Sequence, residues 1–310
     1  MRTRHPFRIA AAALLALASF VPLTGSAVAG QTKVEYVDGV AYKPISTKVS
    51  PSWYTPEFER RLLASGTDGV RLPEGATLPG GVSEGQAAGL AQPGIRPGQW
   101  LLTLLGSDGS DNLLGWCTAN FVFKKSAAWG LGTAGHCGKN GQLVSAYVVP
   151  PPTSGSLPGL YVIGKISVSH DNGIGDDFAM IDIFPEFASW MNPTMPVWGG
   201  PSGVYTGSQV GLPVKHFGHG TAFGAGGTPR VGAAIRWDIK NGDGFSWVSA
   251  ASPGDSGSGV LAVLGEAAGD LTHLAVDIEG NVIGVAGTRM TKILQIANGW
   301  TLADGSLVPL

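Results

Sequence analysis

Charge is scarce in this sequence. Of its 310 residues only 14% are Asp, Glu, Lys or Arg, and the formal net charge is −2. The first 29 residues hold Arg2, Arg4 and Arg8 and no acid, which leaves 17 basic against 22 acidic side chains in the remainder. No basic run occurs there, which argues against nucleic acid as a partner. Long hydrophobic runs are also lacking: Ile9 to Leu23 offers about 15 residues where a spanning helix needs ~20. No later stretch is long and apolar enough to cross a bilayer, so no membrane partner is expected once the leader described below is removed. Cysteine is limited to Cys117 and Cys137, too few for a structural zinc site without other ligands. Glycine is abundant, with 48 residues in a chain that is 44% hydrophobic. That suits one loop-rich β domain with a sizeable core plus extra segments.

Residues 1–29 read as a secretory signal. Arg2, Arg4, His5 and Arg8 form a basic start, Ile9 to Leu23 an apolar run, and Ala27-Val28-Ala29 a small-residue cleavage site. The rest of the chain is therefore expected outside the cell. Residues 30–94 are turn-rich and weakly periodic, apart from Thr55 to Leu63. That piece has an N-cap, a first-turn proline and early acids, and reads as one short helix. Proline and glycine crowd Pro73 to Gly98, the texture of a linker or processing region.

Residues 95–310 change character. Short apolar or alternating runs, bounded by Gly, Pro, Asp and Asn, cover Trp100 to Leu105, Thr118 to Phe123, Leu143 to Val149 and Phe178 to Phe184. Further runs are Val231 to Trp237, Phe245 to Ser249, Gly259 to Leu264, Leu271 to Ile278 and Val282 to Ala286. Many short strands with turn signals make an all-β barrel or sandwich, and pattern alone does not choose between them.

Three stretches carry chemistry. In Ser252-Pro253-Gly254-Asp255-Ser256-Gly257-Ser258-Gly259, Ser256 has glycine two positions before it and directly after it. A tight turn there leaves the hydroxyl uncrowded and the backbone N–H groups free to face a ligand. A hydroxyl needs a base, and Leu131-Gly132-Thr133-Ala134-Gly135-His136-Cys137 supplies an imidazole. A carboxylate on the other imidazole nitrogen fixes its tautomer. Among Asp171, Asp176, Asp177 and Asp182, we select Asp177 because an apolar run starts immediately after it, at Phe178. His216-Phe217-Gly218-His219 reads as a strand end and turn. Asp171 to Asp176 has the look of a calcium loop, but its ligand spacing fits no standard pattern, so no metal is expected.

Thr-Ala-Gly-His-Cys, Asp-Phe-Ala-Met-Ile and Pro-Gly-Asp-Ser-Gly, in that order, resemble the motifs of the chymotrypsin-like (trypsin-type) serine proteases, most of all the secreted bacterial alpha-lytic protease and streptogrisin branch. The resemblance spans residues 95–310. It implies two antiparallel six-stranded β-barrels, roughly 95–190 and 200–300, and a short C-terminal helix within Thr288 to Ala297. His136, Asp177 and Ser256 would be the catalytic residues, and the Gly254 and Ser256 N–H groups the oxyanion hole. A disulfide would join Cys117 to Cys137, with a pair of reduced thiols as the alternative. Ala250 falls where trypsin-like relatives carry an acidic pocket base, so the substrate pocket is expected to be apolar or small. His273 lies near the pocket strand, facing the pocket, solvent or the core.

Residues 30–94 would be a pro-segment or an extension that stays attached. Two departures stand out: Ser258 replaces the second glycine of Gly-Asp-Ser-Gly-Gly, and Pro97 interrupts the Ile-x-Gly-Gly start that would fall at Ile95. The implied protein is a secreted monomeric endopeptidase acting on polypeptides without a cofactor. The alternatives are an inactive protease-fold binding module, or a serine esterase. Esterases of the α/β-hydrolase kind order their residues Ser, acid, His and carry Gly-x-Ser-x-Gly, which fails at Ser258.

Overall fold

The computed structural model describes residues 34–45, 48–49, 51–103, 114–223 and 227–306; the leader at 1–29 lies outside them. The extension contributes β1 (Glu35–Val37), β2 (Val40–Pro44), β3 (Lys48–Val49), α1 (Pro56–Ala64), β4 (Thr77–Leu78), β5 (Val82–Ser83) and α2 (Glu84–Leu90). Helix α1 starts as its sequence dictates: the Thr55 hydroxyl accepts from Phe58 N at 3.1 Å and proline sits in its first turn. Helix α2 was not legible from periodicity, but Ser83 and Gln86 form a reciprocal capping box at its start.

The first barrel uses β6 (Trp100–Thr103), β7 (Leu114–Thr118), β8 (Val122–Lys125), β9 (Ala128–Thr133), β10 (Leu143–Val148), β11 (Gly159–Asp171) and β12 (Asp177–Ile183). All pairings are antiparallel, in the order β8-β9-β12-β11-β10-β6-β7. Strands β7 and β8 are two arms of one bent strand. Around the bend Asn120 N donates to Gly132 O at 2.8 Å and Gly132 N to Phe121 O at 2.9 Å, so six strands close a barrel.

The second barrel repeats the device. Its strands are β13 (Pro213–Gly218), β14 (Thr228–Ile239), β15 (Gly244–Val248), β16 (Gly259–Ala262), β17 (Ala267–Asp270), β18 (His273–Val276) and β19 (Val282–Thr288), followed by α3 (Met290–Ile296) and β20 (Thr301–Leu302). The order is β18-β19-β15-β14-β13-β16-β17. Strands β17 and β18 are arms of one strand bent at Leu271-Thr272. At that bend Leu271 N bonds to Ser258 O at 2.9 Å and Thr272 N to Ala286 O at 3.0 Å. The fold is thus all-β, two six-stranded antiparallel barrels with a short C-terminal helix.

Closing a barrel leaves no free sheet edge, yet each bent strand exposes an arm to which the extension adds. Strand β2 pairs with β18 of the second barrel and β3 with β7 of the first. Pro73 to Gly98, linker-like in composition, is packed structure. Phe58, Leu62, Val70, Leu72, Leu78, Val82 and Ala87 share one buried cluster with Trp100, Leu102, Trp116, Tyr147 and Leu160 of the first barrel.

Candidate functional site

The site forms where the barrels meet. His136 sits on the single turn Gly135–Cys137 directly after β9, and a Cys117–Cys137 disulfide ties that turn to β7. Asp177 is the first residue of β12 and is wholly buried. Its Oδ1 accepts from His136 N at 3.0 Å and its Oδ2 lies 2.7 Å from His136 Nδ1. On the other ring nitrogen, His136 Nε2 lies 2.8 Å from Ser256 Oγ. With Nδ1–H donating to the carboxylate, Nε2 is free to accept the serine proton.

Burial by itself disfavours the imidazolium at His136, but the charge and hydrogen bond of Asp177 outweigh it and raise its pKa above the ordinary value. Burial likewise opposes the Asp177 carboxylate, and the charge and hydrogen bond of His136 hold its pKa below the usual range. Thr288 brackets Asp177 from the second barrel: Asp177 N donates to its Oγ1 and that hydroxyl to Asp177 O, both at 3.2 Å. Thr288 N in turn donates to Asp270 Oδ1 at 3.0 Å. Burial first, then the neighbouring Asp177 charge, push Asp270 well above the carboxylate range.

The Ser256 turn needs both its glycines. Gly254 has φ +103° and Gly257 φ +89°. A Cβ on Gly254 would collide with the Trp116 indole and His219 O, and one on Gly257 with Thr133 Oγ1 and Thr118 O. The first barrel grips the turn through Thr118, whose N donates to Ser256 O at 2.8 Å and whose hydroxyl donates to Gly254 O at 2.8 Å. Asp255 is wholly buried. It accepts from Gly220 N at 2.8 Å, Ser252 N at 2.9 Å and Arg230 Nη1 at 2.7 Å, and also from Arg230 Nη2. Ile95, where the Ile-x-Gly-Gly start was expected, is buried within the chain, its N bonded to Trp190 O at 2.8 Å. Ser258 fits without penalty because its hydroxyl donates to Asp255 O at 2.6 Å. The Gly254 and Ser256 N–H groups make no hydrogen bond among the described residues.

The remaining candidates are scattered. Ala250 is exposed, and its carbonyl accepts from Arg230 at 3.5 Å. His273 is fully buried, bonded to Thr272 Oγ1 at 2.6 Å and 3.8 Å from Asp177 Oδ2, so it does not face solvent. Burial lowers its pKa to about 4. Asp176 is held by His170 and Asn172, and Asp182 by Ser167. His216 ends up inside the second barrel, and His219 Nε2 bonds to Gly98 O at 2.6 Å. Among the described residues no group of three or more His, Cys, Asp or Glu gathers as metal ligands.

Sequence reasoning missed Arg230, Thr272 and Thr288, which carry no local motif, and it missed Ile45. The Ile45 carbonyl oxygen lies 3.1 Å from Ser256 Oγ, and Ile45 N donates to Thr272 O at 3.1 Å.

Two six-stranded barrels, with His136 and Asp177 on the first and Ser256 on the second, decide the architecture. The fold is chymotrypsin-like. No protein-family model matches the sequence, and no curated protein does. Among solved structures the chain is similar to protease A of Thermobifida fusca, at 19% identity and a TM-score of 0.44 over 68% of this chain and 99% of that one. It is also similar to a chymotrypsin of Cellulomonas bogoriensis, at 18% identity and a TM-score of 0.43 over 67% and 99% of the two chains. A glutamic acid specific serine protease, described as using a histidine triad in substrate binding, gives 18% identity and a TM-score of 0.46 over 67% and 100%.

Proposed function

We propose that this chain is a serine endopeptidase that hydrolyses peptide bonds through an acyl-enzyme on Ser256. The observation that carries the reading is the unbroken hydrogen-bonded series Asp177 Oδ2, His136 Nδ1, His136 Nε2 and Ser256 Oγ, at 2.7 and 2.8 Å. His136 takes the proton of Ser256 as the oxygen attacks the substrate carbonyl, then gives it to the leaving amine. Asp177 orients the ring and stabilises the imidazolium. The Gly254 and Ser256 N–H groups receive the developing oxyanion, a donor of this kind being worth roughly 2.7–4 kcal/mol of barrier. Water then repeats the sequence on the ester and frees the second product.

The signal-like leader and the Cys117–Cys137 bridge support action outside the cell, where such a bond persists. Among the described residues no helix is long and apolar enough to cross a membrane. The substrate is a polypeptide and the protein acts as a monomer without a cofactor. Digestion of denatured casein tests the activity on the full chain, on Tyr42→Ala, which loosens the segment that ends at Ile45, and on Ser256→Ala. Peptide release by either of the first two and none by Ser256→Ala is expected. Equal release by Ser256→Ala, or none by any of them, sinks the reading.

A further inference from the structure

Arg96 is a buried cation with no anion beside it among the described residues. Arg230 meets Asp255, Arg236 meets Asp38 and Asp238, and Arg71 meets Glu84. Arg96, with only 7% of its surface exposed, meets uncharged oxygens instead. Its Nε and Nη2 donate to Pro93 O at 3.1 and 2.9 Å, and its Nη1 donates to the Gln92 side-chain oxygen. These three bonds do not use up the N–H groups of a guanidinium, and two remain without a partner among the described residues. Holding an unpaired charge out of water is costly. Burial lowers the Arg96 pKa to about 10, so the group is still charged at neutral pH.

Arg96 lines a cavity of about 200 Å³, to which no residue of the triad or of the turn 252–259 contributes among the described residues. Trp100, Pro196, Val197 and Phe217 supply apolar walls, and His219 a second polar group. The His219 ring packs 4.0 Å from Trp100 and 5.8 Å from Phe217, with its Nε2–H donating to Gly98 O at 2.6 Å. Burial lowers its pKa to about 3, so the ring is neutral and Nδ1 keeps a lone pair, which finds no donor among the described residues. Two buried polar groups with unused bonding capacity thus line one cavity. Val197 adds strain. It is exposed, has φ +68°, and lies in a tight turn where Trp198 N donates to Pro196 O at 2.7 Å. A β-branched residue rarely takes that conformation, and such strain gathers at ligand clamps.

The lining also limits the ligand. An apolar cavity of about 150 Å³ takes up benzene, so this one has room for a ring and a carboxylate. A single guanidinium matches one carboxylate at two points. A dianion would leave a charge unpaired among apolar walls, and an uncharged ligand would leave Arg96 as it is.

We propose that this cavity binds a small monocarboxylic acid with an aromatic or aliphatic body, the carboxylate on the two free N–H groups of Arg96 and the body between Trp100, Phe217 and Val197. The site adjoins the support of the Ser256 turn, since His219 N donates to Thr118 Oγ1 at 3.1 Å and Gly220 N to Asp255 at 2.8 Å. Its occupancy does not depend on the peptidase assignment.

The test uses benzoate on the full chain carrying Ser256→Ala, which keeps the protein whole. Calorimetric titration is expected to show one site with a dissociation constant on the order of 1 mM or tighter. Benzamide, the same shape without the charge, should bind at least tenfold more weakly, and so should phthalate, which brings a second charge. Arg96→Gln should lose at least tenfold in benzoate affinity while its circular dichroism matches that of its parent. In a crystal soaked with 4-bromobenzoate the bromine, located by its anomalous scattering, should lie in the cavity beside Trp100 and Phe217. No saturable binding of benzoate up to about 10 mM, equal binding of benzamide, or undiminished affinity in a folded Arg96→Gln refutes the site. Bromine found only elsewhere refutes it too. If Arg96→Gln does not fold, the benzamide comparison and the bromine position decide without it.

Discussion

Replacing Arg230 with alanine exposes how the Ser256 turn is held. The guanidinium makes a two-point contact with Asp255, which is wholly buried and otherwise keeps only the Gly220 and Ser252 N–H groups. Removing one partner of a buried ion pair costs about 3–5 kcal/mol, because the remaining charge stays out of water. At roughly 2–4 °C per kcal/mol for a chain of this size, the melting temperature should drop by about 6–20 °C. The assay is thermal unfolding on a Ser256→Ala background, which prevents self-digestion. Arg230→Lys should recover only part of the loss, since an ammonium cannot reproduce the planar fork. Arg236→Ala is the control: its partner Asp38 is 67% exposed, and such pairs are worth less than about 1 kcal/mol. A melting temperature for Arg230→Ala within 2 °C or so of its parent, where the control also falls, would refute the argument.

Other outcomes follow from the same contacts. Asp177→Asn should lower kcat by about 10⁴-fold in casein or peptide hydrolysis, because the imidazole loses its correct tautomer. Activity should rise with pH through a midpoint above 6.5, since His136 must be neutral to act as base and Asp177 favours its proton; a pH–rate profile reads this directly. His216, His219 and His273 are buried and neutral, with burial lowering His219 to about 3, His273 to about 4 and His216 well below its usual value. Below pH 6.5 the unfolded chain binds more protons than the fold at these sites. Stability should therefore fall on acidification, by about 2 kcal/mol for each histidine at pH 5 relative to pH 7, as denaturant titrations at the two pH values would show. Leu62→Ala, in the cluster shared by α1 and the first barrel, should cost about 2–5 kcal/mol of the main unfolding transition. A separate transition for residues 51–98 would show instead that the extension folds independently.

Sequence alone carried the His136, Asp177 and Ser256 stretches because each is short and punctuated by residues whose chemistry is local: glycine for a turn, cysteine for a bridge, an apolar run to half-bury a carboxylate. The strands were legible where a short apolar run is bounded by turn residues, as in Leu143 to Val149 and Val282 to Ala286. Thr118 to Phe123 and Leu271 to Ile278 read as single strands, yet each contains a bend that closes a barrel; apolar residues continue through the bends because both arms face the core. The 13-residue β11 went unread because Gly164, Lys165 and a polar end at Ser169 and His170 interrupt its pattern. Arg230 and Ile45 were beyond reach, since their partners lie 25 and 211 residues away and only closure of the second barrel brings them together. The glycine- and proline-rich texture of Pro73 to Gly98 suggested a linker, but its few apolar residues, Leu78, Val82 and Ala87, suffice to anchor it to the first barrel.

Labelling with a fluorophosphonate, followed by peptide mapping, tests the central claim most directly, because the reagent phosphonylates only an activated serine. The account predicts one phosphonylated site, Ser256, in wild type and in Tyr42→Ala, and none in Ser256→Ala or in His136→Ala. Folded wild type and Tyr42→Ala that both stay unlabelled, or a label that persists in Ser256→Ala, would contradict it.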